Sequence, residues 1–241
     1  MTRTLVLSDI HANKDALDAV IADAGDAERI WCLGDIVGYG PEPGACIAWV
    51  REHCASVLSG NHDYAAFDLS VVRDFNPSAA LAAEWTRAQL TDDEVAYLRS
   101  LPSLVAADGV TLAHASPADP IWTYILSVVD ARDAFGAFPG ALCLVGHTHV
   151  AACYADVAGL TVRIPIANDA PYPVADGRFI VNPGSVGQPR DHDPDAAYLW
   201  YDDEAQTVEW RRVAYDIAAV QEKILRAGLP DRLAARLALG Q

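Results

Sequence analysis

Seven residues of this chain, Asp9, His11, Asp35, Asn61, His114, His147 and His149, each end or closely follow a short apolar run. Together they offer carboxylate oxygens, an amide oxygen and imidazole nitrogens, a mixture that suits borderline-hard divalent metals such as Mn, Fe, Zn, Ni or Co. Singly, each has an ordinary alternative. The Asp9-x-His11 pair could be a helix cap beside a surface histidine, and Asp35 in "GD" could sit in a turn. His147 and His149, one residue apart, project to the same side of an extended chain, which makes "GHTH" the better metal candidate. The ordered series carries more weight than its parts. Counting His62, five of the seven histidines fall at run ends, and only His53 and His192 lie outside the pattern. The stretch "SVLSGNHDYAAF" (56–67) poses the same question locally, because Asn61, His62 and Asp63 would be costly to bury without partners.

The elements that must position these groups are legible as short β-branched runs. "TLVLS" (4–8), "RIWCLG" (29–34), "ASVLSG" (55–60), "GVTLAH" (109–114), "ALCLVG" (141–146) and "RFIVN" (178–182) have the length and composition of buried strands. Leu17, Val20, Ile21 and Ala24 share one helical face between the first two runs, and "PEPGACIAWVREHC" predicts a second helix. The N-terminal half therefore reads as β-α-β-α-β with a parallel sheet. In open α/β sheets, sites form outside the carboxyl ends of the strands, so five loops would deliver ligands to one rim. Residues 76–102 predict a helical insertion, with "NPSAALAAEWTRAQL" opening on a cap and Pro and "TDDE" (91–94) fitting a capping box. "AAYLWYDD" and "QTVEWRRVAY" alternate and predict a hairpin on a second sheet, and the tail from Asp216 predicts helix interrupted at "GLP". No repeat, low-complexity tract or Gly/Ser linker divides the chain. The expectation is one domain over 1–241, with the helical insertion and a helical C-terminal tail.

Composition narrows the function classes. Apolar residues make up 52 % of the 241, enough for a substantial core. A formal charge of −16 argues against general nucleic-acid binding and against anionic membrane surfaces. It does not exclude small anionic substrates, because a bound metal reverses the local field. The five cysteines form no C-x-x-C pair and read as buried free thiols in a reducing compartment. The first apolar run is too short for a signal peptide, and no stretch reaches membrane-spanning length, so a cytoplasmic protein is expected.

Read in order, "DIH" (9–11), "GDIVGYG" (34–40), "GNHD" (60–63), His114 in "AHASP" and "GHTH" (146–149) resemble the calcineurin-like metallophosphoesterase superfamily, particularly its small bacterial and archaeal single-domain phosphoesterases. The resemblance covers residues 4–149, and "NPGSVGQPR" (182–190) is similar to a later loop of the group. It implies an α/β fold, a four-layer αββα sandwich of two mixed β-sheets flanked by helices. It also implies two divalent transition-metal ions, with Mn first among the candidates. Asp9, His11 and His149 would hold one ion, Asn61, His114 and His147 the other, and Asp35 would bridge them. Ala12 and Ala115 stand where relatives often carry Gly.

The roles of "GNHD" follow from that resemblance. Asn61 supplies a neutral amide oxygen, and His62 points to the substrate and its leaving group. Asp63 is expected to accept from the other nitrogen of His62, fixing the ring and favouring its protonated form. The implied reaction is hydrolysis of a small phosphodiester or phosphomonoester by attack of a metal-bound hydroxide, with His62 assisting the leaving oxygen. Among substrate contacts, Asn13 could touch a phosphate oxygen or merely cap a helix, Tyr39 could stack on a base, and Arg190 could meet a phosphate. The alternative is a non-catalytic metal-binding interaction scaffold with the same fold. It predicts erosion of the ligand set or of His62, and neither is eroded in this sequence.

Overall fold

The computed structural model describes residues 3–241. The N-terminal part runs β1 (Arg3–Leu7), α1 (Lys14–Ala24), β2 (Arg29–Cys32), α2 (Pro43–His53), β3 (Ser56–Val57) and a short α3 (Asn61–Ala65). After a 3-10 turn at Leu69–Asp74 come α4 (Pro77–Gln89), α5 (Asp92–Ser100), β4 (Leu104–Ala107), β5 (Val110–Ala113), α6 (Val128–Phe135) and β6 (Leu142–Leu144). The remainder is β7 (Ala152–Val157), β8 (Leu160–Ile164), β9 (Tyr172–Pro173), β10 (Arg178–Asn182), β11 (Ala196–Asp202), β12 (Thr207–Val213), α7 (Ile217–Arg226) and α8 (Asp231–Leu237). The insertion helices start as their sequence dictates. Asn76 Oδ1 accepts from Ala79 N at 3.0 Å, and Thr91 and Glu94 form the reciprocal capping box.

Two six-stranded sheets result, in the orders β3-β2-β1-β11-β12-β9 and β4-β5-β6-β10-β7-β8. Both are mixed: β1, β2 and β3 run parallel, as do β5, β6 and β10, while the flanking pairings are antiparallel. Alternation along each strand explains the layering. In β1, Leu5 and Leu7 face a cluster with Leu17 and Val20 of α1 and Ile47 and Val50 of α2, whereas Val6 faces Leu112, Leu144 and Val181 of the other sheet. In β6, Leu142 and Leu144 turn to the first sheet and Cys143 turns outward to Ala131, Ala134 and Phe135 of α6. Helix, sheet, sheet and helix are therefore stacked in four layers. Strands covered on both faces read as unbroken apolar runs, which is how β1, β5 and β6 read.

The hairpin of β11 and β12 departs from expectation. It belongs to the first sheet, not a second one, because β11 pairs antiparallel with β1 in the register Leu5↔Trp200. Burial on alternate sides, with Tyr198 and Trp200 toward the helices and Leu199 and Tyr201 toward the other sheet, marks β11 as an interior strand. Alternation reveals burial but not which edge a strand joins, and the edge of β1 away from β2 was open. The five cysteines are free, four of them buried and Cys54 half-buried. Among the described residues, no helix is long and apolar enough to cross a membrane.

Candidate metal centre

The carboxyl ends of β1, β2, β3, β5 and β6 meet at one rim, and their loops hold the polar series there. Asp9, His11, Asp35, His147 and His149 adopt left-handed backbone conformations, with φ between 50° and 65°. Such conformations cost about 1–3 kcal/mol each and persist only where the surroundings over-determine them. Here the loops bind one another: Asp9 N to Gly34 O at 3.0 Å, His11 N to Asp35 O at 2.9 Å, and Gly146 N to His114 O at 2.7 Å. The later loop closes the ring, since Ser185 Oγ donates to Asp9 O at 2.8 Å and Asn182 Nδ2 to Gly146 O at 2.7 Å. Two glycines permit the close packing. A Cβ at Gly60 would stand 2.1 Å from Asp35 Oδ1, and one at Gly146 would stand 1.9 Å from Ser8 Oγ.

Each imidazole is set by the partner of its second nitrogen. Nδ1 of His11, His114 and His149 faces a backbone carbonyl, of Val37 at 3.0 Å, Leu33 at 2.9 Å and Gln188 at 2.6 Å. A carbonyl can only accept, so Nδ1 carries the proton and Nε2 turns its lone pair inward. His147 is reversed: Nε2 donates to Trp122 O at 3.1 Å, leaving Nδ1 for the interior.

The inward atoms converge. Those of Asp9, His11, Asp35 and His149 lie within 4.8 Å of one another, as do those of Asp35, His114 and His147. Asp35 Oδ2 stands 3.5 Å from both His11 Nε2 and His114 Nε2, between the two groups. Asn61 Oδ1 joins the second group, 3.3 Å from His114 Nε2. Asp9 Oδ2 accepts from Ser8 Oγ at 2.6 Å and His147 N at 3.1 Å, and Asp35 Oδ1 accepts from His62 N at 2.8 Å. The other oxygens, Asp9 Oδ1 and Asp35 Oδ2, are buried without a protein partner. The Nε2 atoms of His11 and His149 approach to 3.0 Å with no proton assigned to either. Orphaned anionic oxygens facing imidazole lone pairs make a costly arrangement that divalent cations relieve, so the donor set fits metal.

The electrostatics agree. Burial pushes the Asp9 carboxyl up to about 7, with the Asp35 charge adding to the rise and His114 and Ser8 opposing it. Asp35 is raised by burial and then by Asp63. Burial holds His11 and His149 well below the ordinary imidazole range and takes His147 down to about 2. The buried cluster thus strains against its own negative charges while keeping His11, His147 and His149 in the neutral, ligating form. Saturation with Mn should therefore raise the melting temperature: an ion at a hundred times its Kd stabilises by about 2.7 kcal/mol per site. Roughly 2–4 °C per kcal/mol then gives a shift of several degrees. A thermal melt before and after exhaustive chelation measures it, and coincident melts would exclude a folded-state metal site.

Asp63 corrects an expectation. Its carboxylate does not reach His62. Oδ1 accepts from Ile36 N at 2.9 Å and Val37 N at 3.1 Å, and Oδ2 accepts from Gly60 N at 3.0 Å. Three backbone donors saturate it, so it ties the "GNHD" turn to the "GDIVGYG" loop. Asp63→Asn would set an amide NH2 against one of those N–H groups. The loss should be about 2–3 kcal/mol in a denaturant melt, and an unchanged midpoint would contradict the tie.

His62 is instead held by packing, 4.3 Å from the Tyr39 ring and 4.9 Å from the Phe75 ring. Its Nδ1 is buried without a partner. Burial, then Arg190 and His114, keep the ring well below its ordinary pKa, opposite to the protonated form expected. Asn13 proves to be a helix cap: Oδ1 accepts from Ala16 N at 3.1 Å and Nδ2 donates to Gly187 O at 2.9 Å. With both ends of the amide engaged, the phosphate contact has no support. Tyr39 is buried, with Arg190 5.6 Å and Arg236 5.9 Å from its ring centre. Arg190 also donates to Gln188 Oε1 at 2.9 Å, while its Nε is buried without a partner.

Some residues at the rim escaped the sequence reading. Trp122 and Tyr124 border the centre, the Tyr124 ring stacked on His147 at 3.8 Å. The aromatic run "PIWTYIL" (120–126), which forms no strand, was the available signal. Arg236 reaches the rim from α8, far from every motif.

Comparison with known proteins places this arrangement. The calcineurin-like phosphoesterase superfamily domain matches residues 2–204. A Methanocaldococcus jannaschii protein is 38 % identical over 245 residues, covering 98 % of this chain and 97 % of the relative. The crystal structure of a metallophosphoesterase from Sphaerobacter thermophilus is 43 % identical and superposes with a TM-score of 0.92, covering 100 % of this chain and 99 % of that one. A hypothetical protein from Pyrococcus horikoshii, 21 % identical, shares the fold with a TM-score of 0.80 over 100 % of this chain and 99 % of its own.

Proposed function

The chain belongs to the calcineurin-like phosphoesterase superfamily, and from that premise we propose that it is a dinuclear metal-dependent hydrolase of small phosphodiesters or phosphomonoesters. One observation carries the dinuclear reading: the orphaned Asp35 Oδ2, equidistant at 3.5 Å from an imidazole nitrogen of each group. Asp9, His11 and His149 would hold one ion, and Asn61, His114 and His147 the other, with Asp35 shared. The mixed oxygen and nitrogen donors suit Mn, and also Fe, Zn, Ni or Co. Bound there, two divalent ions would supply Lewis acidity and an activated water.

The chain's own residues do the rest. Asp9 and Asp35 are fixed by Ser8, His147 N and His62 N, so their inner oxygens need no reorganisation. Asn61 contributes an oxygen without adding negative charge where an anionic ester must come. His62, neutral by burial, donates a hydrogen bond from its ring to an ester oxygen. Arg190, with its buried unpartnered Nε, neutralises a phosphate oxygen. The five free thiols support a cytoplasmic location, and the charge of −16 supports a partner set without nucleic acid or membrane.

The test is a panel of bis-p-nitrophenyl phosphate, p-nitrophenyl phosphate, cyclic nucleotides and dinucleoside polyphosphates, run with Mn-, Ni-, Zn- and Fe-loaded protein and elemental analysis alongside. Turnover with two ions per chain, lost on chelation and restored by metal, is the expected result. Two ions without turnover on any ester would favour the scaffold reading, and full turnover in metal-stripped protein would overturn the mechanism.

A further inference from the structure

A cleft of about 360 Å³ opens over the second group of donors, with Asn61, His62 and His147 at its base. The rest of its lining comes from outside the motif loops that hold those donors, or from their edges. Tyr39 and Phe75 form one wall, flanking His62 at 4.3 and 4.9 Å. Trp122 and Tyr124 form the other, 38 % and 44 % exposed, Tyr124 stacked on His147 and Trp122 edge-on to Tyr64 at 5.8 Å. Half-exposed aromatic faces on both sides of a cleft beside a polar centre offer a planar group surfaces to stack on.

The charge of the lining narrows the occupant further. Among the described residues no Lys or Arg lines the cleft, and the acid Asp74 does, 3.7 Å from Arg73. A second phosphate would find no lining cation there and would approach the Asp74 carboxylate, whereas an uncharged group would meet no such repulsion. Asn76 stands at the same rim, and because its Oδ1 caps α4 it has Nδ2 left to donate. A carboxylate acceptor beside an amide donor suits a ring or sugar edge that carries both kinds of group.

From this geometry we propose that the ester's leaving group carries an uncharged planar aromatic moiety, the base of a nucleoside or a simple aryl ring, stacked between the Phe75 and Trp122 walls. The inference rests on the hydrolase reading in taking the His62 side as the leaving-group side. It also assigns the start of the insertion a role: Asn76 and Ala79, with Phe75 of the turn just before them, build a specificity wall.

Binding decides it without turnover. Calorimetry on the Mn-loaded protein would compare benzylphosphonate with cyclohexylmethylphosphonate, non-hydrolysable ligands of similar size that differ in aromaticity. The aromatic ligand should bind about tenfold tighter. Trp122→Ala or Phe75→Leu should reduce that ratio to about threefold or less. Displacement of benzylphosphonate by the non-hydrolysable 5′-methylenephosphonate of adenosine against that of ribose separates the sources. A base-dependent gain assigns a nucleoside, and a gain confined to the benzyl pair assigns an aryl group. Equal affinities, absent binding included, or a preference that survives both substitutions would overturn the proposal. Esters cleaved without aromatic preference would sink this inference and spare the hydrolase. Aromatic preference without cleavage of any ester would do the reverse.

Discussion

Asp35→Asn should leave a folded protein that binds at most one metal ion per chain and turns over esters about 10³-fold more slowly or worse. The reason lies in how the wild-type carboxylate is divided. Oδ1 accepts from His62 N at 2.8 Å, while Oδ2 faces His11 Nε2 and His114 Nε2 at 3.5 Å each. In the variant, the amide oxygen must keep the first position, because a backbone N–H can only be met by an acceptor. The NH2 group is thereby forced into the place of Oδ2. There it meets two imidazole lone pairs and donates to them, closing the space with neutral hydrogen bonds. Burial raises the pKa of this carboxyl, so removing its charge relieves the metal-free protein. The metal-free variant should therefore melt no lower than the metal-free parent, while losing the stabilisation that added metal gives the parent. Elemental analysis, a thermal melt with and without Mn, and initial rates make the measurement. Two ions retained, with rates within tenfold of the parent, would remove Asp35 from the shared position.

Side-chain chemistry at the ends of apolar strands was visible in the sequence, because a strand buried on both faces rarely carries a carboxylate, amide or imidazole before its final residues. That is why Asp9, Asp35, Asn61, His114 and "GHTH" could be placed on one rim before any coordinates. Their supports were hidden for the opposite reason. Val37 O, Leu33 O and Gln188 O orient three imidazoles, and every residue type has a carbonyl. The role of Asp63 is hidden on the same ground, since its partners are backbone amides, two of them in a loop 26 and 27 residues earlier, not the neighbouring imidazole. For Asn13, the cap reading prevailed over the phosphate contact. The sequence does not mark β7 and β8, and it points β11 to a second sheet instead of the edge of β1, because strand pairing depends on which edge is open. Phe75 and Trp122 lie in segments whose composition also suits ordinary packing, and only folding brings them to the centre.

His62→Ala should separate chemistry from metal binding. The side chain makes no hydrogen bond to a proposed ligand: its ring only packs edge-on against His11 at 5.0 Å, and its link to Asp35 runs through its backbone N, which alanine keeps. Both ions should stay, and elemental analysis should still find two per chain. The rate should nonetheless fall by roughly 10²–10³, the range for losing one preorganised hydrogen-bond donor to developing charge. Burial holds the ring neutral, so the contribution is a hydrogen bond to charge that develops on the departing oxygen. Such a bond is worth most when that oxygen is a strongly basic alkoxide. It is worth least for p-nitrophenolate, which leaves with little help. The penalty should therefore shrink on p-nitrophenyl esters and grow on alkyl esters, and kcat, not KM, should carry the difference. His62→Gln, which restores an N–H donor in the Tyr39 and Phe75 box, should recover part of the alkyl-ester rate. Equal losses on both ester types would instead give His62 a role in holding the phosphoryl group, and loss of an ion would place it among the ligands.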